Sequence, residues 1–146
     1  MVERAGNGSR GSITAIYTIL VEADDNNEPI SDAVRGFLDG HIVLSKSLAD
    51  SGRYPAIDVL RSLSRLQQQL IEPQQASVVS EVRKWMAIYD EHRELIQIGA
   101  YRSGSNPQID RAISLKPIID AFLQQQRSQI IEWKDAWQQL SKLLCS

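Results

Sequence analysis

Residues 54–65, YPAIDVLRSLSR, combine side chains that rarely share one short segment: a flat ring, a rigid proline and two guanidinium groups. An aromatic face such as that of Tyr54 can stack on another ring. A guanidinium such as that of Arg65 can meet phosphate or carboxylate with several planar donors. The other candidate sites are poorer. Asp24, Asp25 and Glu28 lie close together in ADDNNEP and raise the possibility of paired carboxylates or a cation site. No further ligands are in reach and the EF-hand spacing is absent, so a solvated turn is expected. GNGSRG (6–11) matches G-x-G-x-x-G, but a dinucleotide fingerprint needs a strand before it and a helix opening on it. Here the strand is expected after it, and a flexible loop is the reading. His41 and His92 are far apart and Cys145 is the single cysteine, so neither a metal site nor a disulfide framework is expected. G-x-S-x-G and the P-loop pattern are both missing. The residues alone do not compose a complete active site.

The bulk properties narrow the partners. The chain has 146 residues, enough for one domain or two partial ones, and an apolar share of 42% that can support a core. Sixteen basic and eighteen acidic residues give a net charge of −2, which disfavours nucleic acid as a partner. No apolar run approaches the ~18 residues a membrane span requires. The N-terminus has no signal-peptide apolar region, and a reduced cytoplasmic setting is expected.

These residues need elements to hold them. ITAIYTILV (13–21) is dense in β-branched and aromatic residues, as in a strand buried on both faces of a parallel sheet. ADDNNEP ends it, and a short helix is expected over 31–38 with Ser31 or Asp32 near its start. HIVLS (41–45) reads as a second strand, giving a right-handed βαβ unit. SKSLADSG then suggests a brief helix closed by Gly52. After Pro73 the pattern becomes helical: Val78, Val82, Trp85 and Tyr89 recur at helical spacing within one long helix over 74–98. Gly99 stops it. Asn106-Pro107 is a cap followed by proline at the first helical position, and Pro117 is expected to kink or restart that helix. Ile130, Trp133, Trp137, Leu140 and Leu144 form a final apolar stripe. The fold class is therefore α/β followed by all-α, with the boundary between domains at 72/73. Two parallel strands make a poor sheet by themselves, so the first half reads as the end of something larger.

Taken together, GSITAIYTILVEADDNNEPISDAVRGFLDGHIVLS, YPAIDVLRSLSR and IGAYRSGSNPQID resemble the C-terminal part of the flagellar protein-export ATPases. That family is related to the catalytic subunits of rotary ATP synthases and to the ATPases of type III secretion. The resemblance implies the last strands of a RecA-like nucleotide-binding domain in residues 1–72 and a C-terminal helical domain in 73–146. By the resemblance the P-loop and catalytic carboxylates belong to a preceding portion, and Met1 is then expected to be an introduced or an internal start.

The resemblance also assigns roles. Tyr54 matches the tyrosine that lies against adenine, and Arg65 the arginine finger that reaches a neighbouring subunit's site. Trp133 follows FLQQ at the offset of an aromatic that completes the adenine pocket, although helix packing accounts for it equally well. Asp24, Asp25, Asn26 and Asn27 fall in a loop that faces the central stalk. YRSGSNPQ stands where the synthase subunit carries an acidic stalk-contacting motif, and here it is Gly/Ser-rich. ATP and Mg2+, bound mainly by the preceding portion, are the implied cofactors. A homohexamer, a coiled-coil stalk and export-gate proteins at the cytoplasmic face of the flagellar base are the implied partners, with membrane contact peripheral at most. NEPISDAVRG and IGAYRSGSNPQID favour the flagellar over the injectisome branch. The competing reading is a non-catalytic helical module that binds a stalk or export partner.

Without a P-loop there is no cradle of backbone N–H groups and no phosphate lysine. The purified chain by itself is expected to release no phosphate from ATP above background in a coupled assay. Release that persists after removal of contaminating ATPases contradicts this.

Overall fold

The computed structural model describes residues 5–20 and 29–144. The chain forms two compact units, Met1–His41 and Ile42–Ser146. The first contains strands β1 (Gly6–Gly8) and β2 (Gly11–Ile13) and helix α1 (Pro29–Phe37). Strand β3 (Gly40–Leu44) straddles the boundary. The second unit continues with helix α2 (Lys46–Asp50), strand β4 (Ile57–Ser64) and helix α3 (Gln67–Leu70). Helices α4 (Pro73–Glu91), α5 (Arg93–Gln97), α6 (Pro107–Leu123) and α7 (Trp133–Leu143) complete it.

Several expectations about strands are corrected. GNGSRG is a hairpin rather than a flexible loop: β1 and β2 pair antiparallel with Asn7 opposite Ser12 and Gly8 opposite Gly11. Residues 14–20 belong to no strand, and Ile16 and Leu20 are each 92% exposed. Val21 lies outside the described residues. The apolar composition of this run is right for a sheet interior, but a strand exists only where neighbours take up its N–H and C=O groups. The sheets among the described residues are β1–β2 and β3–β4, and 14–20 joins neither. The expected βαβ unit is accordingly not formed, and β3 pairs instead with β4, a strand that periodicity did not reveal. Helix α1 starts at Pro29, earlier than expected, where the fixed φ of proline suits a first helical residue.

The helical half follows its sequence pattern closely. Val82, Leu115 and Ile119 are buried together, with Trp85, Met86, Leu123, Leu140 and Leu144 packed around them. Those positions fall three or four apart on α4, α6 and α7, as a shared apolar seam requires. Gln75 Oε1 accepts a hydrogen bond from the Glu72 N–H at 3.0 Å, closing the start of α4. Asn106 Oδ1 accepts from the Gln108 N–H at 2.9 Å, and Pro107 follows the cap as expected. The Asp110 carboxylate takes the Gly104 N–H at 3.0 Å and the Tyr101 hydroxyl at 3.0 Å, so the 99–106 loop is held to the helix it precedes.

Two helical details differ from expectation. The long helix is interrupted at His92, whose backbone leaves the helical region at φ −104° and ψ 6°. Gly99, at φ +72°, ends α5 in a conformation that favours glycine. Pro117 does not restart its helix, since α6 runs unbroken from Pro107 to Leu123. The ring sits on the exposed side, while Ala112, Leu115 and Ile119 hold the opposite face in the core at 1% exposure each. One missing backbone bond is outweighed there by continuous packing.

Truncating Leu115 to alanine removes a fully enclosed side chain from the α4–α6 seam. The helical half is expected to lose about 2–5 kcal/mol in denaturant unfolding. Ser114→Ala, on the exposed side of the same helix, serves as the control and is expected to change little.

Candidate functional site

Tyr54 stands on a turn between α2 and β4 that four backbone hydrogen bonds tie down. Gly52, at φ +77°, closes α2, and the Arg53 N–H returns to the Leu48 carbonyl at 3.0 Å. The Tyr54–Pro55 peptide bond is cis. The Ser45 N–H donates to the Ala56 carbonyl at 2.9 Å, joining the end of β3 to the approach of β4. The Tyr54 carbonyl accepts from the Gln125 N–H at 2.8 Å. The backbone is therefore fixed while the ring stays 56% exposed, open on a face that could meet a flat ligand.

Arg53 spans this turn. One guanidinium nitrogen lies 3.1 Å from Asp120 Oδ1 on α6, and the other donates to the Ile57 carbonyl at 3.1 Å. Its side chain is only 13% exposed. Lys116, one helical turn before Asp120, holds the second carboxylate oxygen, and its ammonium lies 5.1 Å from the centroid of the Tyr89 ring.

Strand β4 is bent and braced by its own polar residues. Asp58 Oδ1 accepts the Leu60 and Arg61 N–H groups at 3.0 and 3.1 Å, a local turn that competes with regular pairing. The Ser62 hydroxyl donates to the Asp58 carbonyl and accepts from the Val43 N–H at 3.0 Å, so it bridges β3 and β4. From α4, Arg83 donates to the Val59 carbonyl at 2.7 Å and the Leu60 carbonyl at 3.1 Å. Arg65 is exposed in the turn that follows β4, at the opposite end of the strand from Tyr54.

Trp133 is the first residue of α7. It is 65% exposed and meets Trp137 edge to face, with centroids 5.3 Å apart and planes at 87°. The FLQQ segment that precedes it (122–125) closes into a turn: the Gln125 amide donates to the Gln129 carbonyl at 2.9 Å. Tyr54 and FLQQ are thus joined directly through Gln125. Asp24, Asp25, Asn26 and Asn27 lie outside the described residues. Sequence reasoning missed Arg83, Arg53 and Asp120. The available signal was position: Arg83 and Asp120 each follow a buried residue, Val82 and Ile119, on the edge of an apolar stripe.

With this geometry in place, the comparisons with known proteins are direct. Residues 1–64 match the family model for the ATP synthase alpha/beta family, nucleotide-binding domain, and residues 71–142 that for the T3SS EscN ATPase C-terminal domain. The chain matches the C-terminal portion of the flagellar and type III secretion ATPases, its first part carrying the match to the ATP synthase alpha/beta family. The flagellum-specific ATP synthase of Treponema pallidum is 47% identical over 98% of this chain and 32% of its own length. The SPI-2 type 3 secretion system ATPase of Salmonella typhimurium is 47% identical over 89% of this chain and 30% of its own. The assembled ATPase EscN from the enteropathogenic E. coli type III secretion system superposes with a TM-score of 0.90 at 40% identity, over 98% of this chain and 35% of that one. The chain therefore spans about a third of the length of the relatives it matches. An ATP synthase subunit of Nanoarcheaum equitans, NeqB, shares the fold at 24% identity and a TM-score of 0.86.

Arg83→Met removes both donors from the Val59 and Leu60 carbonyls while keeping most of the side chain's length. Half-buried bonds to a charged group contribute about 1.5–3 kcal/mol. Loss of about 2 kcal/mol in unfolding is expected, together with faster amide exchange in β4 than in α6. Unchanged exchange in β4 contradicts the bracing role.

Proposed function

We propose that this chain works as the C-terminal part of an ATPase that energises flagellar, type III protein export. Residues 1–72 complete a RecA-like nucleotide-binding domain and residues 73–146 form the C-terminal helical domain. The two matched family regions, 1–64 and 71–142, support that division. The observation that carries the reading is the bond from the Gln125 N–H to the Tyr54 carbonyl. It joins the exposed tyrosine ring to the F-L-Q-Q segment, the two elements from which an adenine pocket of this family is built.

In this reading the Tyr54 ring stacks on adenine, and a flat apolar face suits that task. Trp133 supplies a second aromatic wall, its exposed face left free by the edge contact with Trp137. Arg65 serves a different nucleotide. Tyr54 and Arg65 sit at opposite ends of β4, as a strand shared between a subunit's own site and its neighbour's requires. At the neighbour's site the guanidinium stabilises charge developing on the γ-phosphoryl oxygens. Mg2+, when bound, would neutralise the phosphate charges, and in this reading the P-loop portion holds it.

The partners follow from the same reading. A finger that acts across a boundary needs a closed ring, a homohexamer in this family, and EscN is known in assembled form and in complex with its central stalk EscO. The segment with Asp24, Asp25, Asn26 and Asn27, outside the described residues, is assigned to a coiled-coil stalk by family resemblance alone, and export-gate proteins at the cytoplasmic face of the flagellar base are the further partners of this reading. No described helix is long and apolar enough to cross a membrane. In this reading the flagellar branch is favoured by the segments NEPISDAVRG and IGAYRSGSNPQID.

In the complete ATPase, Arg65→Ala is expected to cut turnover by about 10³–10⁵ with nucleotide affinity nearly unchanged. Arg65→Lys restores little, because an ammonium does not reproduce the planar fork. Arg61→Ala is the control: Arg61 is 65% exposed, its Asp58 contact is a long 3.7 Å, and the effect is mild. In mixed rings an Arg65→Ala subunit disables its neighbour's site and leaves its own competent. Wild-type turnover of Arg65→Ala at saturating ATP refutes the assignment.

A further inference from the structure

We infer that Asp120 is a positioning residue for the nucleotide base, acting through Arg53 on the turn that carries Tyr54; the inference rests on the adenine-stacking reading of Tyr54. Three observations converge on it. Arg53 straddles the turn, with one guanidinium nitrogen on the Ile57 carbonyl beyond Tyr54 and the other on Asp120. The guanidinium is enclosed: its side chain is 13% exposed, and Arg53 Nε is buried without a hydrogen-bond partner among the described residues. Finally, Lys116 occupies the second oxygen of Asp120, which leaves Oδ1 aimed at Arg53.

The physical consequence is specific. A guanidinium enclosed to this degree depends on its carboxylate, and removing the partner leaves a poorly solvated cation. Arg53 must then move toward water, which releases its grip on the Ile57 carbonyl. The turn keeps its bonds at Tyr54 and Ala56 but loses the staple across its stems. Tyr54, which is 56% exposed, is the part that gains freedom. Stacking suffers first, because its strength depends on a held ring face. Asp120 touches neither nucleotide nor phosphate in this arrangement, so it acts on binding rather than on the chemical step.

The test is a double-mutant cycle in the complete, assembled ATPase, with the non-hydrolysable analogue AMP-PNP as the binding probe. Loss of a stacked aromatic weakens binding of a base by about 5- to 150-fold, which sets the expectation for Tyr54→Ala. Asp120→Asn is expected to raise the dissociation constant about 5- to 20-fold and to leave kcat within about twofold. In the Tyr54→Ala background the same change is expected to add almost nothing, since the ring it positions is gone. A purely structural role predicts the opposite: equal, additive effects in both backgrounds, or a fall in kcat with unchanged affinity. Either result overturns the inference. If Asp120→Asn does not assemble, Arg53→Lys enters the same cycle, because it keeps the charge but cannot reach Asp120 and Ile57 together. The two failures are distinguishable. If Tyr54→Ala leaves affinity unchanged, the stacking reading falls and this inference with it; if Tyr54→Ala weakens binding and Asp120→Asn does not, only the inference falls.

Discussion

The seam where Val82 of α4 meets Leu115 and Ile119 of α6 is the contact on which the rest of the second unit depends. Each of its helices carries a polar arm at the position just after a buried residue. Arg83 follows Val82, and Asp120 follows Ile119. A step of one residue turns about 100° around a helix, from the middle of the apolar stripe to its edge. From that edge Arg83 reaches the Val59 and Leu60 carbonyls, and Asp120 reaches Arg53. Burial fixes the rotation of both helices, and the rotation fixes where the arms point. The turn and strand that bear Tyr54 and Arg65 are thereby tied to hydrophobic packing in the helical half.

Not every charged pair in the chain carries such weight. Lys84 with Glu81 and Arg93 with Asp90 are exposed i,i+3 pairs at 3.8 and 4.0 Å, of the kind that contributes little in water. The Arg53–Asp120 and Arg83–carbonyl contacts differ in two ways. They are half-buried, and they join segments far apart in sequence, so they constrain tertiary geometry instead of reinforcing a helix already formed. Enclosure also makes them unforgiving, because a stranded charge costs more than the pair gains.

The same distinction explains what was legible in the sequence. The helices are local objects: Val78, Val82, Trp85 and Tyr89, the Asn106-Pro107 start and the Gly99 stop all state themselves within a few residues. The strands are not. Residues 13–21 have the composition of a buried strand, yet composition says nothing of which neighbour will accept its hydrogen bonds, and 14–20 joins neither sheet of the described residues. Strand β4 hid for the converse reason, since Asp58, Arg61 and two serines interrupt any alternation. Tyr54 and Arg65 were readable only as part of a motif that a family resemblance supplies. Arg53, Arg83 and Asp120 were unreadable, because a charge beside an apolar stripe looks the same whether it meets water or another segment.

That asymmetry bears on how the site is held. Ile16 and Leu20 stand exposed in the first unit, whereas Leu115 and Ile119 are enclosed within the second by residues of the same unit. The Tyr54 turn takes its supports from the second unit throughout: Leu48, Ser45, Gln125 and Asp120. An aromatic ring that must present one face to a ligand gains from this arrangement, since its footing does not wait on the pairing of residues 14–20. Arg65 shares the footing through β4 and Arg83. A displacement of α4 relative to α6 would pull on β4 unequally, through Arg83 at Val59 and Leu60 and through Asp120 and Arg53 at Ile57. The Tyr54 turn and the strand leading to Arg65 are therefore both tied to one helical seam, through the Arg53–Asp120 and Arg83 contacts.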